Sequence, residues 1–172
     1  MTQPPQPPDP SPGAVPAGPA LGDYFVSTSA DLLDLDFVCA ALAGSYWAQN
    51  RPRAVIEESL KSSICFGLYE KPGARQVGLA RVVTDGATFS WLCDVIVDKG
   101  HRGRGLGKLL VSSVVGDPRL RETMFLLGTR DAHGLYEKFG FVRSDIMRRQ
   151  AQVMRHPSNP TPQPSPPPAS SW

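Results

Sequence analysis

The chain has 172 residues and a formal net charge of only +2, which excludes the basic stripe of a dedicated nucleic-acid binder. Its three cysteines, Cys39, Cys65 and Cys93, lack C-x-x-C spacing, which excludes a disulfide framework and a cysteine zinc site. No apolar run reaches membrane-spanning length and no leader pattern opens the chain, so the expectation is a cytoplasmic protein with neither membrane nor nucleic-acid partner, monomeric or homodimeric.

Proline is concentrated at the two ends. Residues 1–22 hold eight of the 18 prolines and residues 157–168 hold seven more, and Asp9 is the only charge in either end. Such segments bury too little apolar surface to offset chain entropy, so 1–22 and 157–172 are expected to be disordered tails around a folded domain at 23–156. Within the domain, Tyr24–Thr28 reads as a first strand. Ser29 and Asp31 offer caps for a helix carrying the apolar face Leu32 to Leu42, and Pro52 opens a second helix, Arg53 to Lys61. Between them lies the aromatic, polar loop Ser45–Arg51. Residues 63–69, 76–83 and 88–97, joined by Pro72-Gly73 and Asp85-Gly86, predict an antiparallel meander. A third helix follows over Leu106–Val115. A buried strand is expected at 123–128, a helix at 132–139 closed by Gly140, a strand starting at Phe141-Val142 and a last one over 146–153. The class is α/β: a mixed, mostly antiparallel sheet flanked by about four helices.

The chemistry-bearing stretch is Arg102-Gly-Arg-Gly-Leu-Gly-Lys108, set between an apolar strand and a helix. Glycines let backbone N–H groups converge, and a helix start adds about half a positive charge, so the turn reads as a phosphate cradle. A P-loop fails on spacing, because Arg102 and Leu109 stand where Gly and Ser/Thr are required. The dinucleotide fingerprint fails as well, with Lys108 or Leu110 in place of its last glycine. The pattern that fits is [Arg/Gln]-x-x-Gly-x-[Gly/Ala], met by Arg102, Gly105 and Gly107.

Together, Val97–Leu110 and Leu135-Tyr-Glu-Lys-Phe-Gly-Phe141 resemble the pyrophosphate loop and CoA-closing segment of the GNAT superfamily of acetyl-CoA-dependent N-acetyltransferases. The resemblance implies a single GNAT-like domain over about residues 23–156, acetyl-CoA as cosubstrate and no metal. It implies that backbone N–H groups of Arg102, Gly103, Arg104, Gly105, Leu106, Gly107 and Lys108 hold the pyrophosphate. Val95, Ile96 and Val97 would pair with the pantetheine arm, and Tyr136 would protonate the departing thiolate. Two departures stand out. Lys99 replaces a common proline, and Trp91 stands where several members carry a glutamate base. Asp94 is the nearest carboxylate and a candidate base or water-orienter, expected to face opposite to Val95 and Val97; the other reading is a strand aspartate bonded to neighbouring backbone. Cys93 reads as a small buried side chain ahead of an acyl-accepting nucleophile, His133 as a surface or capping histidine ahead of a proton relay or CoA contact, and His101 as loop. Tyr46, Trp47, Arg51 and Trp91, with Gln49, Asn50, Ser144, Asp145 and Arg148, are candidates for the acceptor side. The expected reaction is acetyl transfer to a primary amine by direct attack in a ternary complex, the acceptor a small molecule. Transfer to a protein N-terminus or lysine is an alternative, and so is a non-catalytic acyl-CoA-binding module.

Overall fold

A computed structural model describes residues 19–147. The strands are β1 (Ala20–Leu21), β2 (Tyr24–Ser27), β3 (Ile64–Glu70), β4 (Arg75–Thr84), β5 (Phe89–Val97) and β6 (Met124–Leu126). The helices are α1 (Leu35–Ala43), α2 (Arg53–Lys61), α3 (Leu106–Val115) and the short α4 (His133–Tyr136). The six strands form one sheet in chain order, antiparallel throughout except for the parallel pair β5–β6.

Local chemistry sets the element ends. At the β4–β5 turn the Asp85 carboxylate accepts N–H bonds from Ala87 and Thr88, and Gly86 supplies the left-handed backbone. α1 starts later than expected. Leu33 and Asp34 are extended, and Asp34, rather than Ser29 or Asp31, caps the helix by accepting from Phe37 N at 2.9 Å. α4 is a single turn that tightens into a 3-10 turn at Glu137–Phe139, and Gly140 then takes the left-handed conformation expected of it.

Alternation along the strands sorts the core onto the two sheet faces. On one face α3 places Leu106, Leu110, Val111 and Val114 against Phe66, Leu68, Val82 and Leu92. On the other, α1 and α2 place Val38, Leu42 and Ile56 against Cys65, Leu79 and Ile96. Each such buried aliphatic side chain contributes about 2 kcal/mol.

The register shifts twice, once between β3 and β4 at Leu68/Tyr69 and once in the middle of β5, and the second shift shapes the site. Leu79 pairs with Ile96 but Arg81 pairs with Cys93, so β5 holds one residue more than β4 across this interval, and Asp94 has a φ of 52°. This β-bulge puts Leu92 in the same core cluster as Val95 and Val97, although strict alternation would separate them. Beyond the bulge, β5 also loses its other neighbour. Its pairing with β6 ends at Trp91↔Leu126, so among the described residues no strand lies on the β6 side of Leu92–Val97.

Three expectations are corrected. Ala20–Leu21 lies inside the stretch expected to be tail, yet pairs with β2. The strand expected over 123–128 is limited to Met124–Leu126, because the Thr123 hydroxyl is bonded to Leu120 O and to Ser90. Residues 141–147 form no strand, so the strand expected at Phe141-Val142 is absent there; most of the one expected over 146–153 lies outside the described residues, as do 1–18 and the C-terminal proline-rich stretch.

Candidate active site

The turn after β5 is built to expose its backbone. Gly103 and Gly105 have φ of 77° and 80°, a region that side-chain-bearing residues rarely adopt, and Gly105 leads directly into α3. Among the described residues no backbone N–H from Gly103 to Lys108 reaches a protein acceptor; the first that does is Leu109 N, to Gly105 O at 3.1 Å. A Cβ at Gly103 would touch nothing, and one at Gly107 would meet only Leu135 at 3.6 Å. The glycines therefore leave open surface over a run of unpartnered donors, which fits a diphosphate. The two arginines face elsewhere. Arg102 Nε donates to Val97 O at 3.0 Å, and Arg104 Nη1 donates to the Tyr24 hydroxyl at 2.7 Å. Their side chains brace the turn and leave anion binding to the backbone and the helix start.

His101, expected to be ordinary loop, is buried beneath this turn. Its Nε2 lies 2.9 Å from Arg75 Nη2, which can only donate, so Nε2 accepts. Nδ1 lies 3.0 Å from the Tyr24 hydroxyl, and Arg75 also binds Glu70 Oε2 at 2.7 Å. The turn is thus tied to β2, β3 and β4.

The second part of the site is the bulge. Asp94 is 5 % exposed and points to the face of α1 and α2, opposite to Val95 and Val97. Its Oδ2 accepts from Arg51 Nη1 at 2.9 Å and from Arg81 Nε at 2.8 Å, and its Oδ1 accepts from Trp47 Nε1 at 3.2 Å. Burial alone would push this carboxyl up, but the Arg81 charge and the hydrogen bonds from Arg81 and Arg51 outweigh it and hold the carboxyl below its ordinary range. A carboxylate so paired is a poor proton acceptor at neutral pH. Its geometry suits fixing Arg51 and Trp47 in place. Arg81 was missed in the sequence, where it is one more charge on a strand.

Tyr136 forms the third part. It is buried in the α3-side cluster that Val95 and Val97 also pack against, and it meets Phe141 edge-on with ring centroids 5.7 Å apart. Burial, then the neighbouring Tyr46 and Asp131, pushes its hydroxyl up to about 12. Tyr46 reaches this neighbourhood from the α1–α2 loop. Its hydroxyl accepts from Arg130 N at 3.1 Å, the Arg130 guanidinium lies 3.6 Å from its ring centroid, and Trp47 packs edge-on against it. Tyr46, Trp47, Arg51 and Asp94 are thus brought together. Trp91, half-buried at the last β5–β6 pair, makes no side-chain hydrogen bond among the described residues.

The remaining candidates have simpler places. Burial pushes the Cys93 thiol up to about 11, and its Sγ donates to Arg81 O, which fits a small buried side chain and not a nucleophile. His133 opens α4 without a side-chain hydrogen bond among the described residues. Ser144 and Asp145 lie in irregular chain, and Arg148 lies outside the described residues. Among the described residues no His, Cys, Asp and Glu group could hold a metal ion. Among the described residues the arrangement brings together a run of free backbone N–H groups, a strand edge, a protonated phenol on one sheet face and a charged aromatic cluster on the other.

Comparison with known proteins bears on this geometry. The sequence model of the Acetyltransferase (GNAT) domain matches residues 61–143. A Gibberella zeae protein to which acetyltransferase activity is ascribed is 38 % identical over 139 residues, spanning 68 % of this chain and 77 % of that one. The uncharacterized N-acetyltransferase ycf52 of Pyropia yezoensis is 29 % identical over 128 residues, 70 % of this chain and 71 % of its own. A crystal structure from Xanthomonas campestris pv. campestris, described as belonging to the gnat family, superposes with a TM-score of 0.70 at 39 % identity, covering 74 % of this chain and 93 % of that chain.

Proposed function

Because the chain belongs to the GNAT family of acetyltransferases, we propose that it takes the acetyl group from acetyl-CoA and passes it to the primary amine of a small molecule by direct attack in a ternary complex. The observation that carries this reading is the run of unpartnered N–H groups from Gly103 to Lys108, set beside the bare edge of β5. The first suits the pyrophosphate, and the second offers Val95–Val97 to the pantetheine arm as an added strand.

An alkylammonium titrates near pH ~10.4, so at neutral pH it must lose a proton before its nitrogen can attack. No carboxylate at the bulge is suited to take that proton, since Asp94 is held ionised by two guanidiniums. Solvent water is the acceptor that remains. The neutral amine attacks the thioester carbonyl, the C–N bond forms, and a backbone N–H at the splayed strand end polarises the carbonyl oxygen. The C–S bond then breaks with the sulfur leaving as thiolate, and the nitrogen, now part of the amide, gives up its remaining extra proton to solvent. With its hydroxyl raised to about 12, Tyr136 keeps its proton at neutral pH and donates it, as a hydrogen bond, toward the departing sulfur. Full transfer requires the thiolate to be raised too, which the same apolar packing favours.

Thiol release from acetyl-CoA, followed over a panel of small amines and peptides, tests this. Turnover with a small amine above the rate of water alone is expected; CoA binding without turnover would instead identify an acyl-CoA-binding module.

A further inference from the structure

The acceptor side of β5 carries more positive charge than its carboxylates neutralise. Among the described residues Arg51 and Arg81 share a single counter-ion, Asp94. Arg130 lies over the Tyr46 ring and has no carboxylate within ion-pair distance among the described residues, while the nearby Asp131 is bonded to Thr129. Three guanidiniums therefore face two carboxylates, and only part of their hydrogen-bonding capacity is used. Arg51 commits only Nη1, and its side chain is 24 % exposed. Between Arg51 and Arg130 stand Trp47 and Tyr46, 44 % and 39 % exposed, which is open for aromatic side chains already held in place by edge-on packing.

We infer that the acceptor is a small amine bearing an anionic group, held by Arg51 and Arg130 with its body against Tyr46 and Trp47. This deepens the proposed acetyl transfer and rests on it. A guanidinium fork presents paired N–H donors that match a carboxylate or a phosphate, and stacking on an aromatic ring fixes the plane of that fork. The same charges act on the reacting nitrogen. A cationic surround disfavours the ammonium form, so deprotonation to water is eased in a site without a carboxylate base. A lysine-rich peptide meets the opposite situation, since it brings further positive charge to a positively charged cleft.

The test compares paired acceptors that differ only in the anion: tyramine with tyrosine, and ethanolamine with phosphoethanolamine. In at least one pair the anionic member should show a kcat/KM about tenfold or more above its partner, and the pair that responds tells carboxylate from phosphate. Arg130→Gln should cut that ratio about tenfold, whereas Arg119→Gln, remote and paired with Asp117, should leave it unchanged. Equal or better use of the partners that lack the anion, or of a lysine-rich peptide, or a ratio that survives Arg130→Gln, would overturn the proposal. Calorimetric binding of the same compounds in the presence of CoA separates the two readings. If none is acetylated, acetyl transfer to small amines fails, and binding still decides: preference for the anionic members upholds the charge reading and its absence ends it.

Discussion

The turn at Gly103–Lys108 and the bulge at Asp94 lie a few residues apart on one strand–helix unit, yet they are made in opposite ways. The turn works through main chain. Its donors are backbone N–H groups, its glycines hold left-handed conformations, and its arginine side chains turn away to brace it. The bulge works through side chains. Its backbone merely re-aims one carboxylate, whose partners are brought from β4 and the α1–α2 loop. A site of the first kind tolerates side-chain changes and fails on backbone changes; a site of the second kind does the reverse.

That contrast can be tested from its strongest consequence downward. Gly105→Val puts a β-branched residue at a φ of 80° and displaces the donor run, so about three charge-assisted hydrogen bonds at ~1.5 kcal/mol each are lost. CoA affinity measured by calorimetry should fall by roughly 1000-fold, and near-wild-type affinity would remove the turn as the cradle. Asp94→Ala leaves two guanidiniums without their counter-ion and should cost about 3 kcal/mol in denaturant unfolding, with CoA affinity little changed. The pH dependence has a definite sign. Because the folded carboxyl lies below its ordinary value of about 3.9, its contribution is present above that pH and is lost as the pH falls through the lower folded value. The wild-type advantage over Asp94→Asn should therefore be flat at neutral pH and shrink below about pH 4.

Tyr136→Phe alters neither scaffold. It should lower kcat by about 100-fold while leaving CoA affinity within a few-fold, and an unchanged kcat would take Tyr136 out of the chemistry. Arg102→Ala is the mildest change. With its Nε spent on Val97 O, its loss should weaken CoA binding less than about tenfold, whereas a drop as large as that of Gly105→Val would mean that the side chain binds the phosphate after all.

The same contrast explains what the sequence made legible. The glycine turn could be picked out as a candidate because its determinants sit within six consecutive residues, where spacing alone separates it from a P-loop or a dinucleotide turn. Tyr136 came with its short surrounding segment. Asp94 could be picked out as a nearby carboxylate, but not its environment, because Arg81, Arg51 and Trp47 lie 13, 43 and 47 residues away in sequence. His101 was passed over for the same reason, with Arg75 and Tyr24 at 26 and 77 residues. The fold was legible where periodicity ran long, as in β3–β5 and α3. It was not where two signals competed. Ser29 and Asp31 have cap chemistry, yet the extended Leu33-Asp34 hands that role to Asp34; Phe141-Val142 looks like a strand, yet Phe141 packs on Tyr136 and Val142 is largely exposed.

The extra residue in β5 has a consequence beyond the site. A strand is read in steps of two, and one inserted residue shifts that frame for everything on one side of it. Leu92 reaches the α3 core only because the frame is shifted, and Phe89–Trp91, which carry the whole pairing with β6, are set in the same frame. Removing one residue between Cys93 and Val95 would therefore do more than straighten a kink. It would turn the first half of β5 inside out, exchange its apolar and polar faces and leave β6 against the wrong side chains. The Asp94 cluster and the hydrophobic core share one frame, so a lineage carrying this sheet can vary the residues of the bulge but cannot delete it without first rebuilding the core.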